Sequence, residues 1–148
     1  MSRLLFEDIF EVLIKDPDKK SFDKVSRFKC RSDLYEMDLL IDINVDVYPM
    51  EVGEKYSLAL SSTLTLDGTP TEPLYNAAMQ STRSTLMDNY DYVMFGRIFK
   101  YKDAPSQGQV RVDVFISFGG LLMQLTGDPS KLEELAVDSQ VYLLMRKV

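Results

Sequence analysis

The stretch "MDLLIDINVDVY", residues 37–48, decides the fold class. Met37, Leu39, Ile41, Ile43, Val45 and Val47 take alternate positions, and Asp38, Asp42, Asn44 and Asp46 lie mostly between them. A period of two puts the apolar side chains on one face and the acidic ones on the other, the pattern of a half-buried strand. The acidic face is expected to be solvated. Asp38, Asp42 and Asp46 should then contribute little to stability, and Asp42→Asn should leave the melting temperature nearly unchanged. "DINVD" also matches the opening of a calcium loop, which needs Gly at its sixth position and Glu at its twelfth. Counting from Asp42, those positions hold Val47 and Gly53, and the match fails.

Outward from this strand the same rhythm recurs. Pro49 and Gly53 punctuate a turn, and "YSLALSSTLTL" (56–66) alternates again, so the two runs are expected to form an antiparallel pair. "YVMFGRIFKY" (92–101), "VRVDVFISF" (110–118), "LLMQL" (121–125) and "VYLLMRK" (141–147) read as further strands. "SFDKVSRFKCRS" (21–32) is a weaker candidate. "LLFEDIFEVLI" (4–14) has Phe6, Phe10 and Leu13 at helical spacing, but it is rich in aromatics and stops at Asp16-Pro17, so it is read as a strand. One short helix is expected, with Asp128 as N-cap, Pro129 as first residue and Leu132 and Leu135 tucked against the sheet. The reading is an all-β protein: an antiparallel barrel of about eight strands, with a short helix and one long irregular loop. That loop is residues 67–90, "DGTPTEPLYNAAMQSTRSTLMDNY", which has no sustained period.

Composition narrows the function. The 148 residues suit one domain, 1–148, and no apolar run approaches the ~18 residues of a membrane span. The N-terminus lacks the apolar stretch and cleavage site of a secretory signal. The net charge of −6 is the wrong sign for gripping phosphates. With no histidine and only Cys30, the chain lacks the commonest general base and the usual zinc ligands. The Ser/Thr-rich loop has no histidine to activate a nucleophile. No catalytic constellation, metal site or cofactor site is expected. Cys30 is in phase with Phe28 and should be buried. Lys19, Lys20, Lys24, Arg27, Lys29 and Arg31 form the one basic cluster, best read as an exposed sheet edge defended by charge.

The adjacent Gly119 and Gly120 in "ISFGGLLMQLTG" could cradle a phosphate, bend a barrel strand, or let another chain approach. A phosphate loop needs a helix after the glycines. A strand follows instead, and the next basic residue is Lys131, so a bend is expected.

Several stretches together resemble a known family: "LLFEDIF" (4–10), "VSR" (25–27), "MDLLIDINVDVYP" (37–49), "YDYVMFG" (90–96), "SFGGLLMQLTG" (117–127) and "VYLLMRK" (141–147). They are similar to the small shared subunit, often called the eighth, common to eukaryotic nuclear RNA polymerases I, II and III. The resemblance covers nearly the whole chain. It implies an OB-type barrel and a non-catalytic subunit in the nucleus, nucleolus included. It also implies docking on the largest polymerase subunit, away from the DNA path, with no sequence-specific nucleic-acid contact. The competing reading is a single-strand nucleic-acid binder of the OB type, whose stacking platforms the eight Tyr and eight Phe could supply.

Three large apolar residues follow the glycines, more than one inward face can hold, and Tyr92 to Phe95 show the same excess. An outward apolar face usually marks an interface. Tyr92, Met94, Phe95, Phe118, Gly119, Gly120, Leu121, Leu122 and Met123 are therefore the expected partner interface, from two segments lying side by side.

Overall fold

The computed structural model describes residues 4–16, 24–32, 34–63, 89–104 and 110–148. Among the described residues the strands are β1 (Leu4–Lys15), β2 (Val25–Ser32), β3 (Asp38–Asn44), β4 (Lys55–Ser61), β5 (Tyr92–Ala104), β6 (Arg111–Phe118), β7 (Leu121–Gly127) and β8 (Gln140–Lys147), and a short helix, α1 (Pro129–Leu132), lies between β7 and β8. They close into a barrel in the order β1-β2-β3-β7-β6-β5-β8-β4, with β4 returning to β1 and every pair antiparallel. The expected long irregular loop falls outside the described residues except for Asn89 and Tyr90.

Alternation makes the barrel. Phe10, Phe28, Ile41, Leu58, Ile116 and Leu143 are among the inward side chains, each at most 2% exposed, so the interior is a packed core. The N-terminal segment is a strand despite its helical spacing, because Phe6, Phe10 and Val12 all fall on its inward face. Cys30 is buried in phase with Phe28, as its position predicts. In α1, the Asp128 carboxylate accepts from the Ser130 N–H, Pro129 opens the helix, and Leu132 and Leu135 are buried.

Two expectations about β3 fail. β3 and β4 are not a hairpin, since β3 lies between β2 and β7 and β4 between β1 and β8. The connection between them swings across the barrel mouth to β1, where Val12 N–H donates to the Glu54 carbonyl at 3.0 Å and Gly53 N–H to that of Val12 at 2.9 Å. On the way it buries Met50 and stacks Tyr48 on Tyr92, with ring centroids 5.1 Å apart. Alternation specifies faces, and it leaves the choice of neighbour open. β3 also ends early. The Asn44 carbonyl accepts the N–H groups of Val47 and Tyr48, and its side chain accepts that of Asp46, so the chain turns and leaves Val47 exposed.

Closure also changes the meaning of the basic cluster. β2 is paired on both sides, so Arg27, Lys29 and Arg31 do not defend a sheet edge. Lys19 and Lys20 lie outside the described residues.

Candidate partner-docking surface

Gly119 and Gly120 form the two-residue turn of the β6–β7 hairpin, with φ of +63° and +110° between the paired Phe118 and Leu121. Such primed turns match the twist of the strands and demand positive φ at both central residues. The pair is a bend, and a strand follows it.

The hairpin divides the expected interface. Leu122 and Phe95 are 42% and 49% exposed, and Gly119 and Gly120 are exposed at the turn. Met94 and Leu121 are half-buried against the core. Tyr92, Phe118 and Met123 are buried and cannot present side chains to a partner. The apolar run after the glycines thus resolves into one outward residue, Leu122, between partly and fully inward neighbours. Nor do the two segments lie side by side, because β6 separates β5 from β7. Gly96 brings β5 close against Ser117 and Phe118. A Cβ there would fall 2.3 Å from the Ser117 carbonyl oxygen and 2.6 Å from the Phe118 ring, so only glycine allows this approach. Phe95 packs instead on Tyr142 of β8, with centroids 4.8 Å apart.

Around Leu122 lies a shallow cleft of about 100 Å³, lined by Leu40, Phe99, Phe115, Leu122 and Met123 with Arg27 and Gln124. A β-bulge shapes it. The β5–β6 register passes from Ile98↔Ile116 to Lys100↔Phe115, leaving Phe99 as the extra residue, exposed beside Phe115. Leu40, Phe99 and Phe115 were absent from the expected interface. Phe115 was readable, since it falls out of phase with the inward Val114 and Ile116. Phe99 was not, because a bulge leaves no mark on simple alternation.

The acidic face expected to be solvated is so at Asp38 and Asp46 and not at Asp42. Asp42 is 7% exposed and accepts from Arg27 Nε at 2.7 Å, from the second guanidinium nitrogen at 3.2 Å and from the Leu122 N–H at 2.9 Å. One carboxylate thereby ties β2, β3 and β7 together beneath the cleft. Asp46 stays exposed, in the turn, and Asp38, its side chain 40% exposed, pairs with Arg111 at 3.4 Å.

Among the described residues no group of three or more His, Cys, Asp or Glu side chains could hold a metal ion. Burial pushes the Cys30 thiol up to about 12, far from the range of a reactive thiolate. What this surface offers is apolar area and charge, the chemistry of association.

Known proteins share this chain from end to end. The family model described as RNA polymerase Rpb8 matches residues 7–147. A Dictyostelium discoideum protein named as a subunit of DNA-directed RNA polymerases I, II and III is 47% identical, covering 99% of each chain. An Arabidopsis thaliana protein named as subunit 8B of polymerases II, IV and V is 42% identical, covering 98% of this chain and 97% of its own. The Saccharomyces cerevisiae subunit of polymerases I, II and III is 34% identical, covering 99% of this chain and all of its own. With its barrel, its hairpin and nearly every residue inside that match, the chain belongs to the RNA polymerase Rpb8 family.

Proposed function

We propose that this chain is a non-catalytic structural subunit of DNA-directed RNA polymerases, shared among the nuclear enzymes. It works in the nucleus, nucleolus included, and docks on the largest subunit. The observation that carries the reading is end-to-end similarity, at 34–47% identity, to proteins named as shared polymerase subunits. A barrel whose interior is filled by its own side chains suits a part that stabilises an assembly. The docking surface is the outward wall around Leu122 and Phe95, with the Gly119–Gly120 turn between them and Met94 and Leu121 partly accessible. Tyr92, Phe118 and Met123 support it from inside.

Affinity purification of the tagged chain, with identification of what comes with it, tests the proposal. Subunits of more than one nuclear polymerase, the largest included, are expected. Recovery of the folded chain without polymerase subunits would overturn it, and tight salt-sensitive binding of the isolated protein to single-stranded DNA would favour an OB-type nucleic-acid binder instead.

A further inference from the structure

The chain is acidic, yet its outer wall at β2–β3–β7–β6–β5 is not. Exposed acids such as Glu36, Asp46, Glu51, Asp91, Glu133 and Glu134 sit in the connections, whereas Lys29, Arg31, Arg97, Lys100 and Lys102 are exposed along β2 and β5, against one exposed acid there, Asp103. Of the three carboxylates on β3, β6 and β7, Asp42 and Asp113 are buried and occupied, Asp42 by Arg27 and the Leu122 N–H, Asp113 by the Thr126 hydroxyl, and Asp38 pairs with Arg111. Lys29, Arg97 and Lys100 form no ion pair with a described residue. The register sets Lys29, Leu40, Gln124, Phe115 and Lys100 in one row across the five strands, a cation at each end and Leu40 and Phe115 flanking Gln124 between. Leu122 lies in the next row with Ser117 and Arg97. The cleft of about 100 Å³ opens among them.

Resting on the proposed subunit role, we infer that this wall receives an acidic segment of another polymerase subunit, which lodges one large aliphatic or aromatic side chain in the cleft between Leu40, Phe115 and Leu122. A small, mostly apolar pocket flanked by cations that have no carboxylate partner among the described residues is the form of an anchor site. The pocket supplies the binding energy, and the cations select the sign of the partner. Single-stranded nucleic acid would also meet the charge, but the aromatics are set wrongly for it. Phe99 and Phe115 are tilted by 48°, and Lys100 Nζ stands 5.5 Å over the Phe115 ring, covering the face on which a base would stack.

Photo-crosslinking within the assembled complex tests this. Leu122, exposed and so replaceable without loss of the fold, is substituted by p-benzoyl-phenylalanine in the tagged full-length chain. After irradiation, the polymerase is purified and the cross-linked peptide identified by mass spectrometry. A polymerase peptide with an excess of Asp and Glu around a Leu, Ile, Met or Phe is expected. Lys29→Glu combined with Lys100→Glu should lower the yield about tenfold while the melting temperature holds. A chain that co-purifies with polymerase but gives no cross-link, or reaches a peptide without acidic residues, or reaches RNA or DNA, overturns the inference and leaves the subunit role standing. If the tagged chain without the Leu122 substitution fails to co-purify with polymerase, both fall.

Discussion

Asp42 occupies an outward position on β3, where alternation alone would leave its carboxylate in water. Its partners come from two other strands, Arg27 on β2 and the Leu122 N–H on β7. A buried carboxylate with three donors is costly to disturb, because Asn keeps the shape but removes the charge that faces the half-buried Arg27 guanidinium and one of the acceptors. Asp42→Asn should therefore cost about 2 kcal/mol, lowering the melting temperature by roughly 4–8 °C in a domain of this size. Thermal and denaturant unfolding would measure it, and an unchanged midpoint would mean that water replaces the carboxylate. The sequence reading assigned Asp42 the right face and the wrong surroundings. The missing information was the register, which sets Arg27 opposite Asp42 from fifteen residues upstream.

The β6–β7 hairpin was the most legible element, because adjacent glycines between two alternating runs leave few alternatives to a primed turn. Both glycines have open space where a Cβ would sit, so the cost of substitution lies in the backbone alone. Gly120, at φ +110°, should not accept a β-branched residue, and Gly120→Val is expected to cost about 2 kcal/mol. Gly119, at φ +63°, sits where asparagine is at ease, and Gly119→Asn creates the sequence favoured in such turns. That variant should unfold within ~0.5 kcal/mol of the parent, since a surface change compatible with the backbone seldom costs more. Equal losses in the two variants would show that the turn is not what sets the backbone angles. β5 was less legible. Its bulge at Phe99 and the tight passage of Gly96 against Ser117 come from what lies beside the strand.

At the scale of the whole barrel, the mouth where the β3–β4 connection crosses is fastened by side chains distant in sequence. Tyr48 stacks on Tyr92 and meets Tyr56 edge-on, with centroids 5.1 and 5.8 Å apart. The Tyr48 hydroxyl and the Lys147 N–H both donate to Asp91. Glu54 pairs with the Lys147 ammonium and accepts from the Tyr56 hydroxyl at 2.8 Å. The Lys147 hydrogen bond, and after it the Tyr56 one, holds the Glu54 carboxyl below its ordinary value of 4.5. At the helix cap, the Ser130 N–H does the same for Asp128. A carboxyl whose folded pKa lies below its unfolded one adds stability above the unfolded value and loses it as pH falls through the folded one. The melting temperature should therefore be level from neutral pH down to about 5 and decline below the ordinary carboxyl range. Glu54→Gln should soften that decline. Calorimetry across pH would show it, and parallel curves for parent and variant would contradict the role given to the mouth.

Alternation and glycine spacing were enough to establish an all-β chain, the inward face of its strands, the short capped helix, the buried thiol and the turn at Gly119–Gly120. These properties are local, since period, cap chemistry and backbone angle act within a few residues. Only the tertiary structure decided which strands are neighbours, and so moved β4 away from β3 to lie between β1 and β8. It also buried Asp42 under Arg27, turned Tyr92, Phe118 and Met123 inward, and gathered Leu40, Phe99, Phe115 and Leu122 into one cleft. The physical reason is that strand pairing and side-chain burial depend on residues tens of positions apart. Closing the barrel brings them together, and no window of sequence contains both members of such a pair.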